Sequence, residues 1–414
     1  MDTNYQAIYD QLNQEANDLF KDLTVYGVNE AARKGRPFII VTDDAMPEIP
    51  ITMDLSLSIL TVAGAMGTGG PDAARNIDKA SGLGVETRLC NSVKMAAYYL
   101  QSGTLPVPDL LITTNSPCDA VDTLGQMMDN YKPWASVPRF RLDSPRGRED
   151  ADFAYFGRQL KECVAFIQAA LGRKLDNKRL LEVCEESNRQ AQLIMDFQEL
   201  KRAVPCPADP DLTRKGWELA RWIAPSDPSV FLRVTDWLKR LVEVTEQKVK
   251  EKKGIDGVNE KIRFLWYDVS PSWGAKLFPR LQQELGAICM MSYYSFANWT
   301  PIDTSSEENM YKSMAKKYLL GTPMTRQAMH SADVYCEDVV RICKDFKCDA
   351  MIMPCHIGHR DTNSFHKLVK DACRKNGIPF FFLGCDCWDE RYMTPDTVFD
   401  RLKTFFATLN RAEQ

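Results

Sequence analysis

The feature that most constrains this chain is a repeated unit. A short apolar run ends in a polar turn, and helical spacing follows. "PFIIVTDD" (37–44) has it, "PDLLITTNSPCD" (108–119) repeats it, and "VPRFRLD" (137–143) reads as a further strand. Runs this short fit strands buried on both faces of a parallel sheet, with helices as the crossovers. Between them, "MDLSLSILTVAGAMG" and "NSVKMAAYYLQSG" have helical spacing and end in glycine, as helix C-termini do.

The rhythm then stops. "FAYFGRQLKECVAFIQAALG", "NKRLLEVCEESNRQAQLIMDFQELKR" and "FLRVTDWLKRLVEVTEQKVKEKKG" are amphipathic helices without strand signals. The lysine-rich end of the third is a solvated last turn favoured by the helix dipole. The strand pattern returns in "RFLWYDV", "GAICMMSYY", "DAMIM" and "PFFFLGCD". A closing helix, "TPDTVFDRLKTFFATL", has Thr394 as its cap and Pro395 in its first turn. A chain of 414 residues exceeds one ordinary core. The expected fold class is therefore α/β: two doubly wound parallel-sheet domains, 1–150 and 259–414, with a helical middle segment, 151–258.

Composition narrows the function. With 44% hydrophobic and 26% charged residues the chain reads as globular, and a net charge of −4 offers no bulk attraction to nucleic acid or to an anionic membrane. No apolar run approaches a membrane span, and the acidic, amphipathic start "MDTNYQAIYDQLNQEANDLF" is unlike a signal peptide. The expected location is the cytoplasm. Thirteen cysteines, an odd and scattered set, suit a reduced protein in which most are small buried apolar residues. Neither GxGxxG, GxxxxGK[ST] nor GxSxG occurs, so nucleotide binding by the usual glycine loops is not expected.

Three cysteines stand apart by position. Cys118 follows the strand "DLLITT", Cys355 follows "DAMIM", and Cys90 in "TRLCNSVKM" sits at another helix start. In open α/β sheets ligands lie outside the carboxyl ends of strands, and helix N-termini there favour a thiolate. Three such thiolates would suit an iron–sulfur cluster; buried structural cysteines are the alternative. "MIMPCHIGHR" (351–360) adds His356 and His359, two of only four histidines.

These residues resemble a known family. "LCNSVKMAAYYL", "VPDLLITTNSPCDAVDTL", "LGRKLDNKRLLEVCEESNR", "SPSW" and "NGIPFFFLGCDCWDERYMTPDTVFDRL" together resemble the cluster-bearing subunits of the 2-hydroxyacyl-CoA dehydratase and ATP-dependent benzoyl-CoA reductase family. The resemblance implies a heterodimer with a paralogous subunit, each holding an iron–sulfur cluster through three cysteines. It implies an ATP-hydrolysing activator as electron donor, and an acyl-CoA substrate that is dehydrated or reduced in its aromatic ring. The closing "DERYMTPDTVFDRLKTFF" looks nearer the reductase branch. Other expectations are a non-catalytic electron-transfer or scaffold subunit, a double-cubane homodimer, and an α/β enzyme unrelated to metals.

Carried over residue by residue, Cys90 and Cys118 take the first two ligand positions. The third slot, counted from Asp349 and from Gly377, falls on His359, while Cys355 lies four residues earlier. Three outcomes stand open: Cys355 reaches the cluster, His359 ligates iron, or the third ligand is lost. Cys355 is preferred because thiolate is the softer donor. His356 and His359 are then candidate catalytic groups, as hydrogen-bond donors or proton carriers. Asn115 and Asp119 are expected to cap the helix after Cys118. Cys385 and Cys387 are read as structural.

Overall fold

The computed structural model describes residues 4–21, 35–43, 46–62, 72–103, 105–292, 296–328, 332–354 and 356–409. Most strands fall on the short apolar runs: β1 (Phe38–Val41), β3 (Leu110–Thr114) and β4 (Arg139–Leu142) in the first half; β5 (Ile262–Trp266), β6 (Ala287–Met291), β7 (Ala350–Pro354) and β8 (Phe380–Leu383) in the second. One strand corrects the sequence reading. β2 (Ser56–Ile59) forms inside a stretch whose spacing reads as helical. Leu55, Leu57 and Ile59 alternate there with Ser56 and Ser58, a period of two that belongs to a strand. Both serines are buried, and Ser56 Oγ donates to the Ser226 carbonyl at 2.7 Å.

Every strand pairing is parallel, and the two sheets share one topology. Their orders are β2-β1-β3-β4 and β6-β5-β7-β8. The chain therefore changes direction across each sheet between β1 and β3, and again between β5 and β7. Such switch points open a crevice beyond the carboxyl ends of the two strands. The period of two sorts the side chains along each strand. Phe38 and Ile40 join a core with Val93, Leu100 and Leu124, whereas Ile39 and Val41 face the helices of the middle segment.

Three helices of the first half matter below: α1 (Tyr5–Lys21), α2 (Asn91–Ser102) and α3 (Asp119–Asp129). The middle contains α4 (Asp150–Leu171), α5 (Asn177–Leu200), α6 (Asp211–Glu218) and α7 (Phe231–Lys250); α8 (Glu307–Lys316) and α9 (Pro395–Leu409) follow β6 and β8. Helix α1 joins the middle rather than the first sheet: Trp237 Nε1 donates to the Leu12 carbonyl and Tyr9 pairs with Thr245, both at 2.9 Å. Helix α8 lies so close on α4 that a Cβ at Gly157 would stand 3.0 Å from the Lys312 nitrogen. A buried triad ties these parts together, with Lys317 Nζ 3.1 Å from Glu48 Oε1 and 2.7 Å from Ser187 Oγ. Burial raises the Glu48 carboxyl, but Lys317 and Arg221 outweigh it and hold the group below its ordinary value. Thr394 Oγ1 accepts from the Thr397 amide, the cap expected for α9. No helix among the described residues is long and apolar enough to cross a membrane.

Candidate metal centre

The strand ends at the two switch points carry the site. Two residues beyond β1 stands Asp43, and two beyond β5 stands Asp268. Beyond β3 stands Cys118, and beyond β7 stand His356 and His359. Cys90 and Cys118 are the N-cap residues of α2 and α3, neither with a side-chain capping bond. Both sulfurs thus sit at the positive end of a helix, which favours thiolate.

Gly358 seats the second half on the first. Its φ is +83°, and a Cβ there would collide with the backbone N and Cα of Cys90. Only glycine both adopts this conformation and leaves the room. The turn it forms presents His356 and His359 to Cys90. Cys90 Sγ lies 3.4 Å from His356 Nε2, and the donor atoms of Cys90, His356 and His359 all lie within 4.8 Å of one another. The two imidazoles meet edge to face, their centroids 4.2 Å apart.

Each imidazole is backed by a buried carboxylate. His359 Nδ1 is 3.2 Å from Asp268 Oδ1, which also accepts from the Val269 amide at 2.7 Å. His356 Nδ1 is 3.1 Å from Asp386 Oδ2 and 3.2 Å from the Cys387 amide nitrogen. These two neighbours serve two protonation states. The neutral ring protonated at Nε2 accepts from Cys387, whereas a ring protonated at Nδ1 donates to Asp386. Asp386 Oδ1 is held by the Trp388 and Asp389 amides at 2.8 Å. Carboxylate-backed imidazoles present Nε2 as a fixed donor, the arrangement found behind metal-ligating histidines.

The electrostatics agree with that geometry. Burial alone pushes a cysteine up, as at Cys163, where it reaches about 12. At Cys90 burial acts in the same direction, yet His356 and His359 outweigh it and bring the thiol down to about 6. Burial and His359 lower His356, but Asp386 and Cys90 carry it up to about 9. His359 is likewise raised, Asp268 overcoming the effect of burial. For Asp386, burial is outweighed by His356, and the carboxyl falls to about 2.

Cys118 lies outside the three-donor group but on the same cavity. That cavity, of about 440 Å³, is lined by Cys90, Cys118, His359, Asp43 and Trp388, with an apolar wall that includes Trp217, Trp222 and Phe278. Its volume is in the range of small-molecule sites. His356 is fully buried beside it. Cys355, the preferred third ligand from sequence, lies outside the described residues.

Other expectations sort as follows. Asn115 does not cap α3: its side chain bonds Asp143 at 2.8 Å and the Ser144 amide at 2.8 Å, tying the turn after β3 to the one after β4. Asp119 is the first residue of α3, 3.7 Å from Arg360. Cys387 is structural, its thiol donating to the Val269 carbonyl at 3.3 Å. Sequence reasoning missed Asp268, Asp386 and the positional equivalence of Asp43. A signal existed in the aspartate that ends both "IIVTD" and "FLWYD".

Two sheets of one topology, meeting at their switch points over a Cys/His donor group beside a cavity, define an α/β protein of two parallel-sheet halves. The comparison with known proteins identifies the family. The family described as 2-hydroxyglutaryl-CoA dehydratase, D-component, matches residues 47–409, and the chain belongs to it. A relative is the lactoyl-CoA dehydratase subunit alpha of Anaerotignum propionicum, 22% identical over 315 residues that span 70% of this chain and 67% of the relative.

The resemblance implies an iron–sulfur cluster, and the donors suit one. Two thiols at helix N-termini open onto one cavity, one already inclined to thiolate, with an imidazole locked beside them. Clusters accept thiolate and, in some centres, imidazole.

Proposed function

We propose that the chain is the metal-bearing subunit of a 2-hydroxyacyl-CoA dehydratase, with an iron–sulfur cluster held by Cys90, Cys118 and His359 beside the cavity that receives the acyl end of the thioester. The observation that carries this reading is the convergence on one cavity of Cys90, Cys118 and His359, delivered from two sheets at equivalent switch points. Bound there, a cluster supplies single low-potential electrons, which the removal of a hydroxyl beside a thioester needs.

The protein's own groups do the rest. Asp268 fixes the His359 ring so that Nε2 is the available donor. His356 donates from Nε2 to the Cys90 sulfur, and hydrogen bonds to ligand sulfur set a cluster's potential. Trp388, Val93 and Phe278 on the cavity wall exclude water from the reacting thioester. The usual glycine motifs for phosphate do not occur in the sequence. Following the family resemblance, ATP hydrolysis is assigned to a separate activator, and a paralogous subunit completes the enzyme. The family membership and the dehydratase name of the relative favour water elimination over ring reduction.

One distance favours a second reading. Bonds of about 2.0–2.3 Å to a single tetrahedral ion put its ligands about 3.5 Å apart. Cys90 Sγ and His356 Nε2 are separated by 3.4 Å, so Cys90, His356 and His359 would also accept one divalent ion. Anaerobic reconstitution of the full chain separates the two. About four irons with matching sulfide per chain, lost in Cys118→Ser, are expected for the cluster. One metal without sulfide, unchanged in Cys118→Ser, would give the single-ion site. A chain that takes up neither defeats the metal-bearing reading and leaves a scaffold subunit; a ring-reduced product from an aromatic thioester would move the enzyme to the reductase branch.

A further inference from the structure

Another part of the cavity wall has a charge pattern that the metal centre does not need. Helix α6 places Asp211, Arg214 and Glu218 on it, with Asp209 just before the helix. Arg214 commits four of its five N–H groups to two carboxylates. Its Nε and Nη2 donate to the two oxygens of Asp211 at 2.7 and 2.9 Å, and Nη1 donates to both oxygens of Glu218 at 2.7 Å. Glu218 is buried, so its half of the pairing is shielded from solvent, whereas the Asp211 half is open to it.

The cations on the described wall are thus Arg214, held by two carboxylates, and His359, held by Asp268. Four further acids, Asp43, Asp209, Asp211 and Glu218, face the same space. Arg214 pairs with Asp211 and Glu218, and Lys215, which does not line the cavity, partly offsets Asp209, Asp211 and Glu218 from behind the wall. Most of the remaining surface is apolar and aromatic, interspersed with hydroxyls such as those of Thr61, Ser92 and Ser270. A ligand carboxylate entering here would lose its water, meet like charge, and find the guanidinium already paired with two carboxylates, with no free bidentate edge.

We infer that the acyl group taken by this cavity is uncharged and apolar, aliphatic or aromatic, and that Asp211, Arg214 and Glu218 exclude acyl chains ending in a second carboxylate. This assignment rests on the acyl-CoA reading above. It narrows the substrate class away from the dicarboxylic acyl group for which the family is described.

Binding rather than turnover tests it, since Trp217, Trp222 and Trp388 line the cavity and their fluorescence reports occupancy. The full-length chain is titrated anaerobically with butyryl-CoA, phenylacetyl-CoA, glutaryl-CoA and the methyl ester of glutaryl-CoA. Glutaryl-CoA is expected to bind about tenfold or more weakly than its own ester, which keeps the length and removes the charge. The double variant Asp211→Asn/Glu218→Gln, which releases Arg214, is expected to close most of that gap, read as the ratio of glutaryl-CoA to ester affinity within each protein. Glutaryl-CoA bound as tightly as its ester by the unaltered chain overturns this assignment alone. Failure of every thioester to bind overturns it together with the acyl-CoA reading.

Discussion

The two sheets have one topology and opposite chemistry. At the switch point of the first, the strand ends and the helix starts beyond them offer sulfur: Cys118 after β3, and Cys90 at the head of α2. At the equivalent place in the second, β7 leads to His356 and His359, each leaning on an aspartate. Asp43 and Asp268 occupy the same position after equivalent strands, yet one accepts from Thr61 at 3.0 Å and the other orients an imidazole. The contrast teaches that the fold supplies the place and the turn supplies the side chain. The thiol half is held by backbone and helix ends, whereas the imidazole half is held by buried side-chain pairs.

The strongest way to break the comparison is to pull the halves apart at their contact. Gly358→Ala would add a Cβ against the Cys90 backbone at a positive φ. The expected cost is about 2–4 kcal/mol of unfolding free energy, from strain and overpacking together. Denaturant titration of the metal-free chain measures it. A neutral result would mean that the turn need not touch Cys90, and that the halves are independent supports.

Most of this architecture was legible because strands buried on both faces leave short apolar runs between turn residues. β1, β3, β5 and β7 all read that way. β2 did not, because its serines are buried, Ser56 bonding to the Ser226 carbonyl, instead of facing water, so the alternation is easily passed over in favour of helical spacing. In the site, Cys118, His356 and His359 were readable by their places after strands and Cys90 by its place at a helix start, the histidines also by their scarcity. The aspartates behind the histidines were not. Asp268 lies 91 positions from His359, and their pairing follows only from β5 lying next to β7. Arg214 was unreadable for a similar reason, since its helix reaches the cavity through the packing of the middle segment.

A smaller effect sharpens the comparison at the two equivalent aspartates. Asp268→Asn removes the charge that holds the His359 ring, and metal affinity is expected to fall about 10–100-fold. Asp43→Asn holds no imidazole, and affinity is expected to stay within about threefold. Competition with a chelator during anaerobic metal loading gives both numbers. Equal losses would show that the two acids act only as general negative charge, and the asymmetry between the halves would lose its physical basis.

The finest test lies in the pH response of the thiols in the metal-free protein. A thiol alkylates as its thiolate, so reactivity rises with pH through the group's own pKa. For Cys90 burial opposes ionisation, but His356 and His359 overcome it, and half-maximal alkylation by iodoacetamide is expected near about 6. Cys163, pushed up to about 12 by burial, is expected to stay unmodified throughout the neutral range. His356→Gln removes one of the two charges responsible, so the Cys90 midpoint should move upward, toward the ordinary cysteine value of about 8.5. Peptide mapping by mass spectrometry after timed alkylation follows each site separately. An unshifted Cys90 midpoint in His356→Gln would mean that the helix end alone lowers the thiol, and that the first sheet prepares its ligand without help from the second.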